Sequence, residues 1–192
     1  MMSDRSDTAT GMLRDEHQLI LGVVDVLDET LNSTNSASHL DFDVVDSCIS
    51  FFRLFADACH HGKEEDLLFP ELIEHGMPGD EGPIAVMLSE HRQGRLSVRG
   101  MAEAISDARS GDERALSALR AHADDYIGLI RAHIDKEDNV LFNMADDMVL
   151  DDACRVLCDR YDLVCRRRFE GKTKDDLEVM AASLMAGQPG KA

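Results

Sequence analysis

The stretch HHGKEEDLLF at 60–69 returns 73 positions later as HIDKEDNVLF at 133–142. His60 is matched by His133, Lys63 by Lys136, Glu64 by Glu137, and Leu68-Phe69 by Leu141-Phe142. A shorter pair, DEH at 15–17 and SEH at 89–91, sets Glu16-His17 over Glu90-His91 at an offset of 74. Two offsets that nearly agree mean that the chain is built from two similar halves, and such a repeat governs the fold. Each half carries a lone histidine and then an HxxxE pair. Residues four apart share one helical face, so His60 with Glu64 and His133 with Glu137 each aim two polar groups in one direction.

These groups sit among apolar residues at helical spacing. Leu13, Leu21 and Val24 flank His17, and Ile84, Met87 and Val98 flank His91. Histidine and glutamate are costly to bury without partners, so four helices that turn them toward a core must bring them to a common partner. The periodicity predicts helices over 11–31, 41–74, 83–110, 112–144, 151–169 and 174–185. HGMPGDEGP (75–83), with three glycines and two prolines, breaks the chain between the halves. The expected architecture is all-α: an antiparallel up-down four-helix bundle with additional C-terminal helices. Residues 1–10 are read as a flexible N-terminus, 11–147 as the bundle, and 148–192 as a helical extension with a frayed tail.

Charge and cysteine usage exclude several classes. A net charge of -18 repels phosphate backbones, which argues against nucleic acid as a partner. No apolar run is long enough to span a membrane, and MMSDRSDTATG lacks the apolar core of a secretory signal. Five cysteines without a CxxC pair read as reduced thiols in the cytoplasm. Cys59 is expected to be a buried structural thiol, and Cys154, Cys158 and Cys165 to share a core-facing helical stripe. Neither a protein partner nor an oligomeric state is specified.

The repeat aligns His60 with His133, which fixes the first HxxxE register as His60/Glu64 and leaves Glu65 and Asp138 outward or behind the ligands. His61 lies opposite Ile134 and breaks the symmetry. It is either a fifth ligand or a histidine outside the coordination sphere. A mixed histidine and carboxylate set at a bundle centre suits a pair of iron ions, with manganese or zinc as competing ions. Two six-coordinate ions offer twelve positions. Five histidines, two bridging carboxylates and a bridging oxide or hydroxide leave one open, on one ion only, for a small exogenous ligand. Tyr126 shares the stripe of His133 and either lines the pocket as a proton donor or packs as core. Gly94, one turn beyond His91, either leaves room for a ligand or permits a close helix contact. Asp57, one turn before His61, either orients an imidazole or forms an exposed ion pair.

His17, HHGKEEDLLFP, EHRQGR and HIDKEDNVLF together resemble the hemerythrin-like, or HHE cation-binding, family over about residues 12–147. That resemblance implies a four-helix bundle with a non-haem di-iron centre that meets O2, NO or peroxide. It implies that one iron takes His17 and His60, that the other takes His91, His133 and His61, and that Glu64 and Glu137 bridge. Oxygen carriers of that family place two histidines four residues apart on the third helix. Here only His91 is present, so oxygen transport does not carry over. The expected function is binding or sensing of O2, NO or peroxide. An enzyme of peroxide or NO detoxification and an iron-donating module for iron–sulfur repair are the alternatives.

Overall fold

The computed structural model describes residues 8–33, 37–167 and 169–187. Helices α1 (Ala9–Asn32), α2 (Phe42–Phe51), α3 (Phe69–Glu74), α4 (Gly82–Arg109), α5 (Glu113–Lys136), α6 (Phe142–Met148), α7 (Asp151–Cys165) and α8 (Lys174–Ala186) make an all-helical packing. No strand occurs among the described residues; Phe169 and Lys172 form one isolated bridge. Most of the N-terminus read as flexible, and the end of the tail, lie outside the described residues. Thr8 caps α1 by accepting a hydrogen bond from the Gly11 amide at 3.0 Å, so the helix begins at Ala9. Asp112 caps α5, and Thr173 with Asp176 forms a capping box on α8. Gly76 and Gly111, at φ of 99° and 94°, take the left-handed conformation that ends α3 and α4.

Two expectations need correction. The segments 41–74 and 112–144 are not uninterrupted α-helices. Three wide, π-helical stretches interrupt them: π1 (Phe52–His61), π2 (Glu64–Leu68) and π3 (Glu137–Leu141). π2 and π3 begin at the matched glutamates of the two halves. π1 has no counterpart among the described residues. Its i→i+5 bonding rotates each residue less about the axis than an α-turn does. His60 and His61, which an α-helix would splay apart, are both buried. The predicted helix 151–169 also stops earlier, at Cys165 with Arg166 as its cap, and beyond it Glu170 and Gly171 turn the chain at positive φ.

The apolar core runs through α1, α2, α4 and α5, and Leu13, Ile20, Val24 and Leu27 of α1 share one buried cluster with Phe51, Phe55, Ile84, Leu119 and Ile130. The extension packs back onto this core: Tyr161 and Val164 of α7 and Leu177 and Ala181 of α8 are buried. Among the described residues no helix is long and apolar enough to cross a membrane.

Candidate metal centre

His17 from α1, His60 and His61 from the end of π1, Glu64 from π2, His91 from α4, His133 from α5 and Glu137 from π3 are all buried in one place. They fall into two sets that share Glu64. His17, His60, Glu64 and Glu137 form one, and His61, Glu64, His91 and His133 form the other; within each, one ligand atom per residue lies within 4.8 Å of the rest. Each carboxylate stands between the sets. Glu64 Oε1 is 3.5 Å from His60 Nε2, and its Oε2 is 3.5 Å from His91 Nε2. Glu137 Oε2 is 3.2 Å from both His17 Nε2 and His133 Nε2.

The other ring nitrogens are held by carboxylates. His60 Nδ1 meets Glu16 at 3.0 Å and His133 Nδ1 meets Glu90 at 3.0 Å, each within its own half. His17 Nδ1 meets Asp138 at 2.8 Å and His91 Nδ1 meets Glu65 at 2.7 Å, each across the halves. Carboxylates in these positions fix ring orientation and make imidazole a better ligand. Lys63 pairs with Glu16 and Lys136 with Glu90, completing the duplication. Glu65 and Asp138 thus stand behind the ligands rather than facing outward. The roles of Glu16, Glu90, Lys63 and Lys136 went unassigned from sequence, although all four align in the repeat that revealed the ligands.

The remaining atoms test whether a cation fits. Nε2 of His17, His60, His91 and His133, both nitrogens of His61 and all four oxygens of Glu64 and Glu137 are buried without a hydrogen bond among the described residues. Buried polar atoms are rarely left so. One such atom from each residue converges with the rest, and they are the donors that iron, manganese or zinc accepts. Burial and the neighbouring Glu137 charge push the Glu64 carboxyl well above its ordinary range. Burial also acts to raise Glu137, but His133 and His17 outweigh it and hold that carboxyl well below. A cation between them satisfies both carboxylates at once.

The sequence profile of the hemerythrin HHE cation-binding domain matches residues 8–145. The chain belongs to that family. This hemerythrin-family chain is also 23% identical over 162 residues to the uncharacterized protein Rv1995 of Mycobacterium tuberculosis and the uncharacterized protein Mb2018 of Mycobacterium bovis. Each match covers 84% of this chain and 63% of the relative, so the chain spans less than two thirds of those proteins. The family fits what the side chains show: buried His/Glu clusters able to hold metal, for which iron is the typical ion.

The residues singled out beside the ligands separate clearly. Tyr126 is buried against Phe52, with ring centroids 4.7 Å apart, and burial pushes its phenol well up. A Cβ on Gly94 would make ordinary contact with the Tyr126 ring at 3.6 Å, so no close helix approach demands glycine there. Asp57 accepts a hydrogen bond from Arg95 at 2.7 Å and lies 3.5 Å from His61 Nδ1. It is an ion-pair partner first and only a loose neighbour of the imidazole. Arg95 also donates to Glu65 at 2.8 Å, linking the pocket side of the site to His91. Gly94, Arg95, Asp57, His61 and Tyr126 line one cavity of about 370 Å³.

Proposed function

We propose that this protein is a non-haem di-iron protein that binds or senses a small ligand, O2, NO or peroxide, in an antiparallel four-helix frame in the reducing cytoplasm. The observation that carries the reading is the cavity that ends on His61. The other four histidines each have Nδ1 within 2.7–3.0 Å of a carboxylate. His61 has Asp57 at 3.5 Å and makes no hydrogen bond. It is the least anchored of the five and the only one on the cavity wall. Its ring lies nearly parallel to that of His91, with centroids 3.8 Å apart.

Iron bound by these residues would supply a redox couple and a Lewis-acidic position. His17 and His60 would hold one ion, His61, His91 and His133 the other, Glu64 and Glu137 would serve both, and the His17/His60 ion would keep a position for a small ligand. The His17 and His60 side of the site lies away from the cavity: Phe142 stacks on His17 at 5.4 Å, and Leu13 and Ile20 are fully buried nearby. A ligand arriving through the cavity therefore meets His61 first. Loose anchoring lets His61 yield, while its four counterparts hold the centre together. Among the cavity residues, Phe52, Val98 and the Tyr126 ring set apolar surface beside the charged Arg95 and Asp57, which leaves room for a small neutral ligand such as a diatomic molecule or peroxide.

A second reading, turnover of peroxide or NO, draws on Tyr126. Its ring lines the same cavity, and burial keeps its phenol protonated, so a hydroxyl able to donate a hydrogen bond stands beside the approach path.

Metal analysis and an optical spectrum of protein purified in air test the reading. Two irons per chain with near-ultraviolet oxo-to-iron bands are expected. Added azide, peroxide or NO should then shift the bands stoichiometrically for a binder, whereas many equivalents consumed would favour the enzyme. Zinc alone, or no metal after anaerobic loading with ferrous iron, would overturn the di-iron assignment.

A further inference from the structure

The chain holds a second reactive cluster, outside the ligand set. Cys59 ends the apolar part of π1 just before His60 and is fully buried; Cys165 is the last residue of α7 and is partly exposed. Their sulfurs and a Glu16 oxygen lie within 4.8 Å of one another. Lys63 Nζ is 3.7 Å from Cys165 Sγ and pairs with Glu16. We propose that Cys165 and Cys59 are a peroxide-oxidisable thiol pair that closes into a disulfide joining α7 to the helix carrying His60, His61 and Glu64.

Two cysteines and a carboxylate also suggest a cation site. Here the charge opposes it. The Lys63 ammonium already stands against both Glu16 and Cys165, and Glu16 also serves His60 Nδ1. An ammonium in that place repels a cation and instead favours thiolate, the reactive form of cysteine. The neighbouring Cys59 thiol and Lys63 draw the Cys165 thiol down to about 7 despite partial burial.

The remaining cysteines are poorer partners. Cys48 is fully buried, and burial pushes its thiol up to about 12. Cys154 and Cys158 are one turn apart on α7, where Cβ atoms sit about 5–6 Å apart, beyond the roughly 3.5–4.5 Å that a disulfide needs. Cys165 combines access from solvent, an adjacent cation and a buried second sulfur.

The chemistry balances with hydrogen peroxide as oxidant. The Cys165 thiolate attacks one peroxide oxygen; an S–O bond forms, the O–O bond breaks, and the departing hydroxide takes a proton to become water. The Cys59 sulfur then attacks the Cys165 sulfenic acid. An S–S bond forms, the S–O bond breaks, and hydroxide leaves with the Cys59 proton as a second water. The two thiols give up two electrons and the peroxide accepts them.

The test treats the full chain, as purified and again after chelation, with one equivalent of hydrogen peroxide, and maps peptides without reduction. The expected result is a Cys59–Cys165 cross-linked peptide, with free thiols falling by two of the five. Cys165→Ser should abolish it and Cys154→Ser should leave it intact. Cys59→Ser should leave Cys165 as a sulfenic acid that dimedone traps, and Cys59→Ala serves if the serine variant misfolds. A cross-link confined to Cys154 and Cys158, Cys165 oxidised beyond sulfenic acid with Cys59 still free, or no thiol loss would overturn the proposal. So would one zinc ion bound per chain and lost in Cys165→Ser. The chelated arm keeps this test independent of the iron reading, because no metal takes part in it.

Discussion

The cavity side of the centre and the place related to it by the repeat differ most plainly at four positions nearest the histidines. On the cavity side stand Gly94, Arg95, Asp57 and His61. Offsets of 74 and 73 carry these onto Ile20, Leu21, Ile130 and Ile134. Ile20, Ile130 and Ile134 are buried, and Leu21 packs against the core. One side is thus open and polar, and its twin is sealed with branched apolar side chains. The metal-facing carboxylates and their flanking histidines are duplicated; the approach to them is not. Duplication builds a symmetric cage, and divergence between the halves opens it on one side only.

A second difference runs the other way. Glu16–Lys63 and Glu90–Lys136 are the same device in the two halves, yet the Lys63 side chain is 0% exposed and Lys136 is 39% exposed. The extension makes the difference. Lys174 of α8 reaches Glu16 at 3.4 Å, and the Tyr161 ring of α7 lies 5.7 Å from Lys63 Nζ. Burial acts to raise the Glu16 carboxyl, but His60, Lys63 and Lys174 together hold it at about 2.

The largest effect should be the one that treats both halves alike. Glu64→Ala and Glu137→Ala should each lose most of the bound metal, because each removes a carboxylate standing between the two histidine sets. Retention in one variant alone, read by metal analysis, would break the equivalence. Next come Glu16→Ala and Glu90→Ala, compared by denaturant melts of metal-free protein. Glu16→Ala leaves a buried ammonium with its main partner gone and should cost about 3–5 kcal/mol. Glu90→Ala leaves an exposed lysine and should cost about 1 kcal/mol. Equal losses would mean that the extension does not set the contrast.

The approach itself gives the third test. Ile130→Ala should destabilise by about 2–5 kcal/mol through its cavity, whereas Asp57→Ala at the matched position should change stability by about 0.5 kcal/mol. Gly94→Leu, which fills the cavity beside Tyr126, should slow azide or NO binding by about tenfold with little change in metal content. His61→Ala should speed the same binding, and unchanged kinetics would remove His61 from the path. The smallest effect is expected from Lys174→Ala. It loosens one partly exposed contact to Glu16 and should cost about 0.3 kcal/mol.

The parts legible in the sequence were those that the repeat states twice. His60/Glu64 and His133/Glu137 show their register because only one alignment satisfies both. Glu16 and Glu90 stood in the same alignment, but a carboxylate beside a histidine gives no spacing that says whether it faces metal or ring. The π-helical stretches were not legible, since their residues are ordinary helix formers and the wide turn comes from what the ligands must face. Nor was the closeness of Cys59 and Cys165. These residues are 106 positions apart with no local pattern linking them, and only the return of α7 onto π1 brings them together.

The π-helical stretch before His61 also gives the chain an unusual arithmetic. A wide turn is an α-helix carrying surplus length, so a one-codon deletion anywhere between Phe52 and His61 would let it relax to ordinary winding. Because the wide turn gives up that residue, Phe51 upstream would keep facing the core and His61 downstream would keep its place, whereas the same deletion in α5, which carries no surplus before His133, would swing one flank by about 100° about the axis. In these helices the count of residues matters as much as their kind, and a scan of single deletions would read that count more sharply than any scan of substitutions.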